Sequence, residues 1–152
     1  MTIWEGEPLA TLDVLSLELM PLPRSTAPSS LSIWTHNLRG LQWSDGFVPQ
    51  GCSADAVPAI TAAAGHRMFE IYDAAAVHGS MIVGGEDPDV GLGGYLTGGG
   101  HSLISGHYGL AADNILELKV VTPSGEIATL NQCSNTDLFF AFRGVSIVPI
   151  IL

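Results

Sequence analysis

The stretch whose reading decides the fold runs from Ile82 to Thr129: IVGGEDPDVGLGGYLTGGGHSLISGHYGLAADNILELKVVTPSGEIAT. Between Gly84 and Gly100, eight of seventeen residues are glycine, with none of the serine-rich or charged filler that makes a flexible linker. Within regular structure each glycine is less stable than alanine by ~0.5–1 kcal/mol, so eight forgo on the order of 4–8 kcal/mol against a total stability of about 5–15. Two readings remain. The glycines are either a set of tight turns, or a backbone stripped of side chains so that a flat or phosphorylated ligand can lie against main-chain N–H groups.

Familiar glycine motifs do not account for the stretch. Starting from Gly91, the dinucleotide pattern G-x-G-x-x-G needs a small residue at position 96, which is Leu96. A phosphate loop of the Gly-Lys type fails because the one lysine, Lys119, lies elsewhere, and no G-x-S-x-G elbow is present. His101, His107 and Asp113 lack the i, i+4 spacing or nearby cysteine of a metal site, which favours histidines that donate to loop backbone. Ser102 beside His101 is a poor nucleophile pair, since adjacent side chains rarely face each other.

On the C-terminal side, Ile115–Val121 alternates apolar and polar residues and meets Glu126–Leu130 through Thr122-Pro-Ser-Gly125, which predicts a hairpin. Asn135–Arg143 predicts a helix capped at Asn135 or Thr136. On the N-terminal side, 56–65 reads as a buried strand, Arg67–His78 as a helix with Met68, Ile71, Tyr72, Ala75 and Ala76 on one face and Gly79 as its stop, and Ser80–Gly84 as a short buried strand. Trp43–Asp55 reads as irregular, Leu31–His36 as a half-buried strand, and Leu12–Leu19 as at most a short helix before Met20-Pro-Leu-Pro23.

The chain of 152 residues is 47% hydrophobic and 13% charged, with a mean hydropathy of +0.35. That bounds it to one ordered domain and excludes disorder on composition. The apolar surplus predicts surface covered by a ligand, a partner or further chain. Fifteen acids against five scattered bases give a net charge of −10, so nucleic-acid binding through phosphate neutralisation is not expected. No run approaches a membrane span, and the acidic start MTIWEGEPLATLDVL is unlike a signal peptide; the expectation is a chain neither inserted nor secreted. Cys52 and Cys133 could be one isolated pair or two buried thiols. Free thiols are favoured, because two cysteines in a chain of this size do not make a disulfide scaffold.

Four blocks, taken in order, carry a resemblance: Gly98-Gly-Gly-His-Ser102, Tyr108-Gly-Leu-Ala-Ala-Asp-Asn114, Leu118-Lys-Val-Val-Thr-Pro-Ser-Gly-Glu-Ile127 and Asn135-Thr-Asp-Leu-Phe-Phe-Ala-Phe-Arg-Gly144. Together they resemble the FAD-linked oxidases of the berberine bridge enzyme type, and Arg24–Pro28 with Leu31–His36 are similar to its fungal branch. The resemblance covers 24–144. It implies an α+β fold, a partial FAD-binding domain of the PCMH type in the vanillyl-alcohol oxidase superfamily. This would be the second α+β subdomain, an antiparallel-rich sheet with flanking helices. Residues 1–23 and the apolar tail 145–152 would be atypical additions.

The same resemblance implies the cofactor, FAD, and its contacts. Val90, Gly91, Gly93, Gly94, Tyr95 and Thr97 would run along the ribityl and pyrophosphate, and Gly98, Gly99, Gly100, His101 and Ser102 would lie near the flavin. Asn114 joins this set, and the Ile127 main chain would reach the adenine. Full-length relatives, often secreted, oxidise an alcohol or amine carbon of a small molecule by hydride transfer to the flavin and then reduce oxygen. The family's flavin-linking histidine falls on Leu19, and its linking cysteine on Asp87 in Gly85-Glu-Asp-Pro-Asp-Val-Gly91, so FAD would be held non-covalently. The first pyrophosphate-binding βα unit and the substrate domain are not in the chain, which is expected to be a truncated gene product. No catalytic residue is therefore assigned. The alternative is an inactive remnant acting as a partner-binding module, self-associating through 145–152.

Overall fold

The computed structural model describes residues 35–122 and 124–144. The expected short helix at Leu12–Leu19, the segment Arg24–Pro28, residues 31–34 and the tail 145–152 lie outside the described residues. Within them the chain forms two antiparallel hairpin sheets and four helices. Strands β1 (Leu41–Phe47) and β2 (Val57–Ala62) pair first, followed by helices α1 (Met68–Val77), α2 (Leu92–Thr97) and α3 (Ser105–Tyr108). Strands β3 (Glu117–Val121) and β4 (Ile127–Asn131) then pair, and α4 (Thr136–Phe142) closes the order. The α+β class with antiparallel sheets and flanking helices is as expected.

The β3–β4 hairpin forms where alternation and turn chemistry place it. Leu118 faces Leu130 and Val120 faces Ala128 across the ladder, while Gly125 takes φ +84° and its N–H donates to the Thr122 carbonyl at 2.8 Å. Leu118, Val120 and Leu130 pack with Ala112, Ile115 and Phe139 into one apolar cluster. Leu130 is fully buried, a contribution of about 1.5–3 kcal/mol. The helix after it begins at Asn135, as read. Its side chain caps no helical N–H, however, and instead donates to the Thr129 carbonyl at 2.8 Å, with the backbone in the left-handed region at φ +49°.

Helix α1 has the predicted face: Met68, Ile71 and Ala75 are buried and Tyr72 is half-buried, although Ala76 is exposed. It ends as Gly79 suggests. The Gly79 N–H donates to Ala76 and that of Ser80 to Ala75, with Gly79 at φ +64°; this doubly closed end requires a left-handed residue there. Met68 and Ile71 join Ala62 and Leu92 in a second cluster, and Leu96 packs against both clusters.

Four expectations are corrected. Trp43–Asp55 is not irregular throughout, because β1 occupies Leu41–Phe47 and a bulge between Ser44 and Phe47 absorbs the turn-like Asp45-Gly46. Ser80–Gly84 adopts no strand: no described segment offers it a ladder, so only Ile82 turns into the core while Met81 is 69% exposed. Of Leu31–His36, the described residues from Thr35 form a 3₁₀ turn, closed by Leu38 N–H on the Thr35 carbonyl. Finally, Cys52 and Cys133 form a disulfide. Their sequence separation of 81 concealed the proximity that folding creates, and it binds the loop after β1 to the turn after β4.

Polar groups beneath that disulfide are equally ordered. Glu117 and Asn131 are buried, and Asn131 Nδ2 donates to Glu117 Oε2 at 2.9 Å and to the Gln50 carbonyl at 3.0 Å. The Gln50 N–H donates to the same Glu117 oxygen at 2.7 Å, and the Cys133 N–H to Asn131 Oδ1 at 2.8 Å. The buried carboxylate is thus met by donors, as burial of a charge requires.

Candidate functional site

The glycine-rich stretch is built against the N-terminus of α1. A helix leaves its first N–H groups without intrahelical partners. Here carbonyls of the stretch supply them: Met68 N–H donates to Val90 O at 3.0 Å and Phe69 N–H to Pro88 O at 2.9 Å, while Leu92 N–H returns a bond to His66 O at 2.9 Å. Glu70 completes the start of α1 by accepting the Arg67 N–H at 2.8 Å and Arg39 Nη1 at 2.8 and 2.9 Å. Burial alone would raise the Glu70 pKa, but the Arg67 N–H, Arg39 and His66 outweigh it and hold the carboxyl below its usual value of 4.5.

This zipper sets the direction of the loop's own donors. In a trans peptide the C=O and N–H point opposite ways, so binding the Val90 carbonyl to Met68 turns the Gly91 N–H away from α1. A Cβ built on Gly91 would meet nothing within 4 Å, and the same holds for Gly94. Gly91 begins α2, whose Gly93 and Gly94 N–H groups find no acceptor among the described residues. Gly91 and Gly94 therefore present an open strip of exposed, bare backbone on either side of the half-buried Gly93. Calling the whole stretch a loop missed α2. Two glycines disfavour a helix by propensity, yet Leu92, 4% exposed, and Leu96 fasten it to the core, and Thr97 Oγ1 donates to Gly93 O at 2.9 Å.

The remaining candidates fall into three groups. Val90 and Tyr95 turn their side chains into the core cluster, so only their main chain faces the strip. Gly98, Gly99 and Gly100 carry the chain back from α2; Gly99 and Gly100 take φ +102° and +70°, and their carbonyls accept from Ala112 at 3.1 Å and Ala111 at 2.9 Å. His101 is exposed, whereas Ser102 is buried, its N–H donating to Ser105 Oγ at 3.0 Å. Asn114 Nδ2 donates to the carbonyls of Tyr108 at 3.0 Å and Leu110 at 2.9 Å, while Asp113 accepts the Leu110 N–H at 2.8 Å. The structure thus brings 90–102 together with 111–114. Ile127 stands apart at the start of β4, paired with Val121 and 65% exposed.

Sequence reasoning missed the support of this strip. Beyond its place on the helical face, Tyr72 donates its hydroxyl to the Gly85 carbonyl at 2.5 Å, and the Tyr95 hydroxyl donates to the His101 carbonyl at 2.8 Å. Burial pushes both phenols above their usual pKa of 10.0, and for Tyr95 the neighbouring Tyr72 adds to the effect. The available signal was the glycine pair Gly84-Gly85, which admits the rings.

An FAD binding domain model matches residues 53–131. The chain belongs to the FAD-binding domain family. It is 44% identical over 126 residues to an uncharacterized FAD-linked oxidoreductase of Arthroderma benhamiae, an alignment covering 81% of this chain and 22% of that protein. Among solved structures it is similar to the VAO-type flavoprotein MtVAO615 of Myceliophthora thermophila C1, with 41% identity and a TM-score of 0.70 over 76% of this chain and 21% of that one. It is also similar to Physcomitrella patens BBE-like 1, with 41% identity and a TM-score of 0.52 over 53% and 18% of the two chains. Its relatives include fungal FAD-linked oxidoreductases, and its structural neighbours are flavoproteins of the VAO and berberine bridge enzyme-like types. The chain spans about a fifth of the length of the relatives it matches.

The residues present fit FAD as the family's cofactor. The strip at Gly91–Gly94 has the bare backbone and outward N–H groups that a phosphorylated, flat ligand needs.

Proposed function

We propose that this chain binds FAD non-covalently along the main chain of Val90, Gly91, Gly93, Gly94, Tyr95 and Thr97, continuing over Gly98–Ser102 and beside Asn114. The Ile127 main chain would serve the adenine end. The observation that carries this reading is the Gly91 N–H, turned outward by the Val90–Met68 bond onto a surface with no atom within 4 Å of where a Cβ would stand. Bound FAD would supply a hydride acceptor for an alcohol or amine carbon of a small-molecule substrate, with oxygen as the final oxidant in a full-length oxidase. The chain's own residues bind and orient; none is assigned to the chemistry. Non-covalent binding is supported by Asp87 at the linking position, its Oδ1 accepting the Asp89 N–H at 2.9 Å, and by both cysteines being held in the disulfide.

Mixing the chain with FAD, removing excess by dialysis and scanning the visible spectrum tests the reading. Retained yellow colour that acid precipitation releases into the supernatant is expected. Colourless protein whose melting temperature ignores added FAD overturns it.

A second reading, association with a partner or another copy through 145–152, is favoured by the helix that leads into that segment: Phe140 on α4 is 74% exposed and Leu138 44%. Concentration-dependent assembly that Ile147→Asp and Ile150→Asp abolish would support it. A monomer at every concentration would rule it out.

A further inference from the structure

The two ends of the glycine-rich stretch meet on tyrosine rings. A Cβ on Gly84 would collide with the ring edge and hydroxyl of Tyr72, and one on Gly85 would lie 3.1 Å from Cε2 of Tyr95. At the other end, a Cβ on Gly100 would collide with Ala111 and stand 3.1 Å from Cε1 of the same Tyr95 ring. The Tyr95 ring is therefore held edge to edge between Gly85 and Gly100. Each hydroxyl then takes a carbonyl from the end it touches, Tyr72 that of Gly85 and Tyr95 that of His101. Since C=O and N–H oppose each other across a trans peptide, the Gly85 carbonyl bound to Tyr72 also fixes the Glu86 N–H away from α1.

We propose that Tyr72 and Tyr95 are positioning residues that lock Gly85 and His101, the two ends of the stretch, into one rigid unit and so pre-organise the Gly91–Gly94 strip for its ligand. Neither ring faces that strip, so each acts through the backbone it holds. An unbraced glycine chain would have many conformations to lose on binding. The inference rests on the flavin reading for the identity of the ligand, but the brace itself has an observable independent of flavin.

The test uses Tyr72→Phe, Tyr95→Phe and the double variant, which keep both rings and remove only the hydroxyls. Amide hydrogen exchange of 85–104 is followed without FAD, and FAD affinity is measured by quenching of flavin fluorescence. Each single change is expected to speed exchange in 85–104 about five- to tenfold while leaving the β3–β4 amides unchanged, and to weaken FAD binding by a similar factor, more in the double variant. Unchanged exchange in 85–104 overturns the brace, whether or not flavin binds. Faster exchange with unchanged FAD affinity overturns its role at the site. If the wild-type chain binds no FAD and exchange still accelerates, the brace stands and the flavin reading fails. Tyr72→Ala and Tyr95→Ala, with melting temperature as readout, separate loss of the ring from loss of the hydroxyl.

Discussion

The glycine-rich stretch and the β3–β4 hairpin pack on two apolar clusters that Leu96 joins, and they are fastened by different means. The hairpin is held by side chains: Leu118 and Leu130 in the core, Glu117 and Asn131 bonded to Gln50, and the Cys52–Cys133 disulfide. The stretch has side-chain anchors of its own in Val90, Leu92, Tyr95 and Leu96, but at its ends it is held by the absence of side chains. Tyrosine rings and Ala111 lie flush on Gly84, Gly85 and Gly100, and carbonyls of Pro88 and Val90 cap α1. A fastening made of side chains is repaired by similar side chains, whereas one made of bare backbone tolerates no addition where it is closed and accepts one where it is open.

The largest effect should come from cutting the covalent half of this contrast. The disulfide closes a sequence separation of 81, and the chain-entropy argument gives about 4.5 kcal/mol for a loop of that order. Cys133→Ser should lower the denaturant midpoint accordingly, and reductant should do the same to the wild type and nothing to the variant. Equal midpoints with and without reductant in the wild type would deny the bond any weight. Next comes Gly100→Ala, which places a methyl against Ala111 at φ +70°. Overpacking together with a left-handed alanine should cost about 3 kcal/mol, read as a fall in melting temperature.

These two sites also show where sequence carries structure and where it does not. Alternation over 115–121 and Pro-x-Gly at 123–125 are local, so the hairpin could be read directly, as could the Gly79 end of α1. Residues held by distant partners could not. Nothing near Cys52 announces Cys133, and Ser80–Gly84 looked like a strand because its apolar pattern says nothing about whether a ladder is available. β1 was obscured by Asp45-Gly46, whose turn chemistry the bulge absorbs. For the site, the letters marked the right segment but hid a division inside it: Gly84 and Gly94 read alike, and only the fold shows that one lies under a ring and the other faces open space.

A smaller effect attends Glu70, which couples the capped end of α1 to Arg39. Because its folded pKa lies below the usual 4.5, its stabilisation is complete above that value and is lost as pH falls through the folded pKa. Glu70→Gln should cost about 1 kcal/mol near neutral pH, the scale of a helix-start bond. Its melting temperature should then fall less steeply than that of the wild type as pH drops below about 4.5. Parallel acid profiles would show that the carboxylate is not what holds this end.

The smallest change should run in the opposite direction. Gly94 lies within α2, with nothing within 4 Å of a built Cβ and no left-handed φ, so Gly94→Ala removes unfolded-state freedom without a collision. It should stabilise the chain by about 0.5–1 kcal/mol, which separates it in sign from Gly100→Ala although both replace glycine in the same run. If the open strip is a ligand surface, the same methyl should weaken FAD binding while raising the melting temperature, measured by fluorescence quenching and a thermal scan on one preparation. A gain in stability with FAD affinity intact would mean that the bare backbone at Gly94 serves no ligand. A loss of stability would mean that the glycine is required by packing after all, and that the division between closed and open glycines fails at the position where it is drawn most clearly.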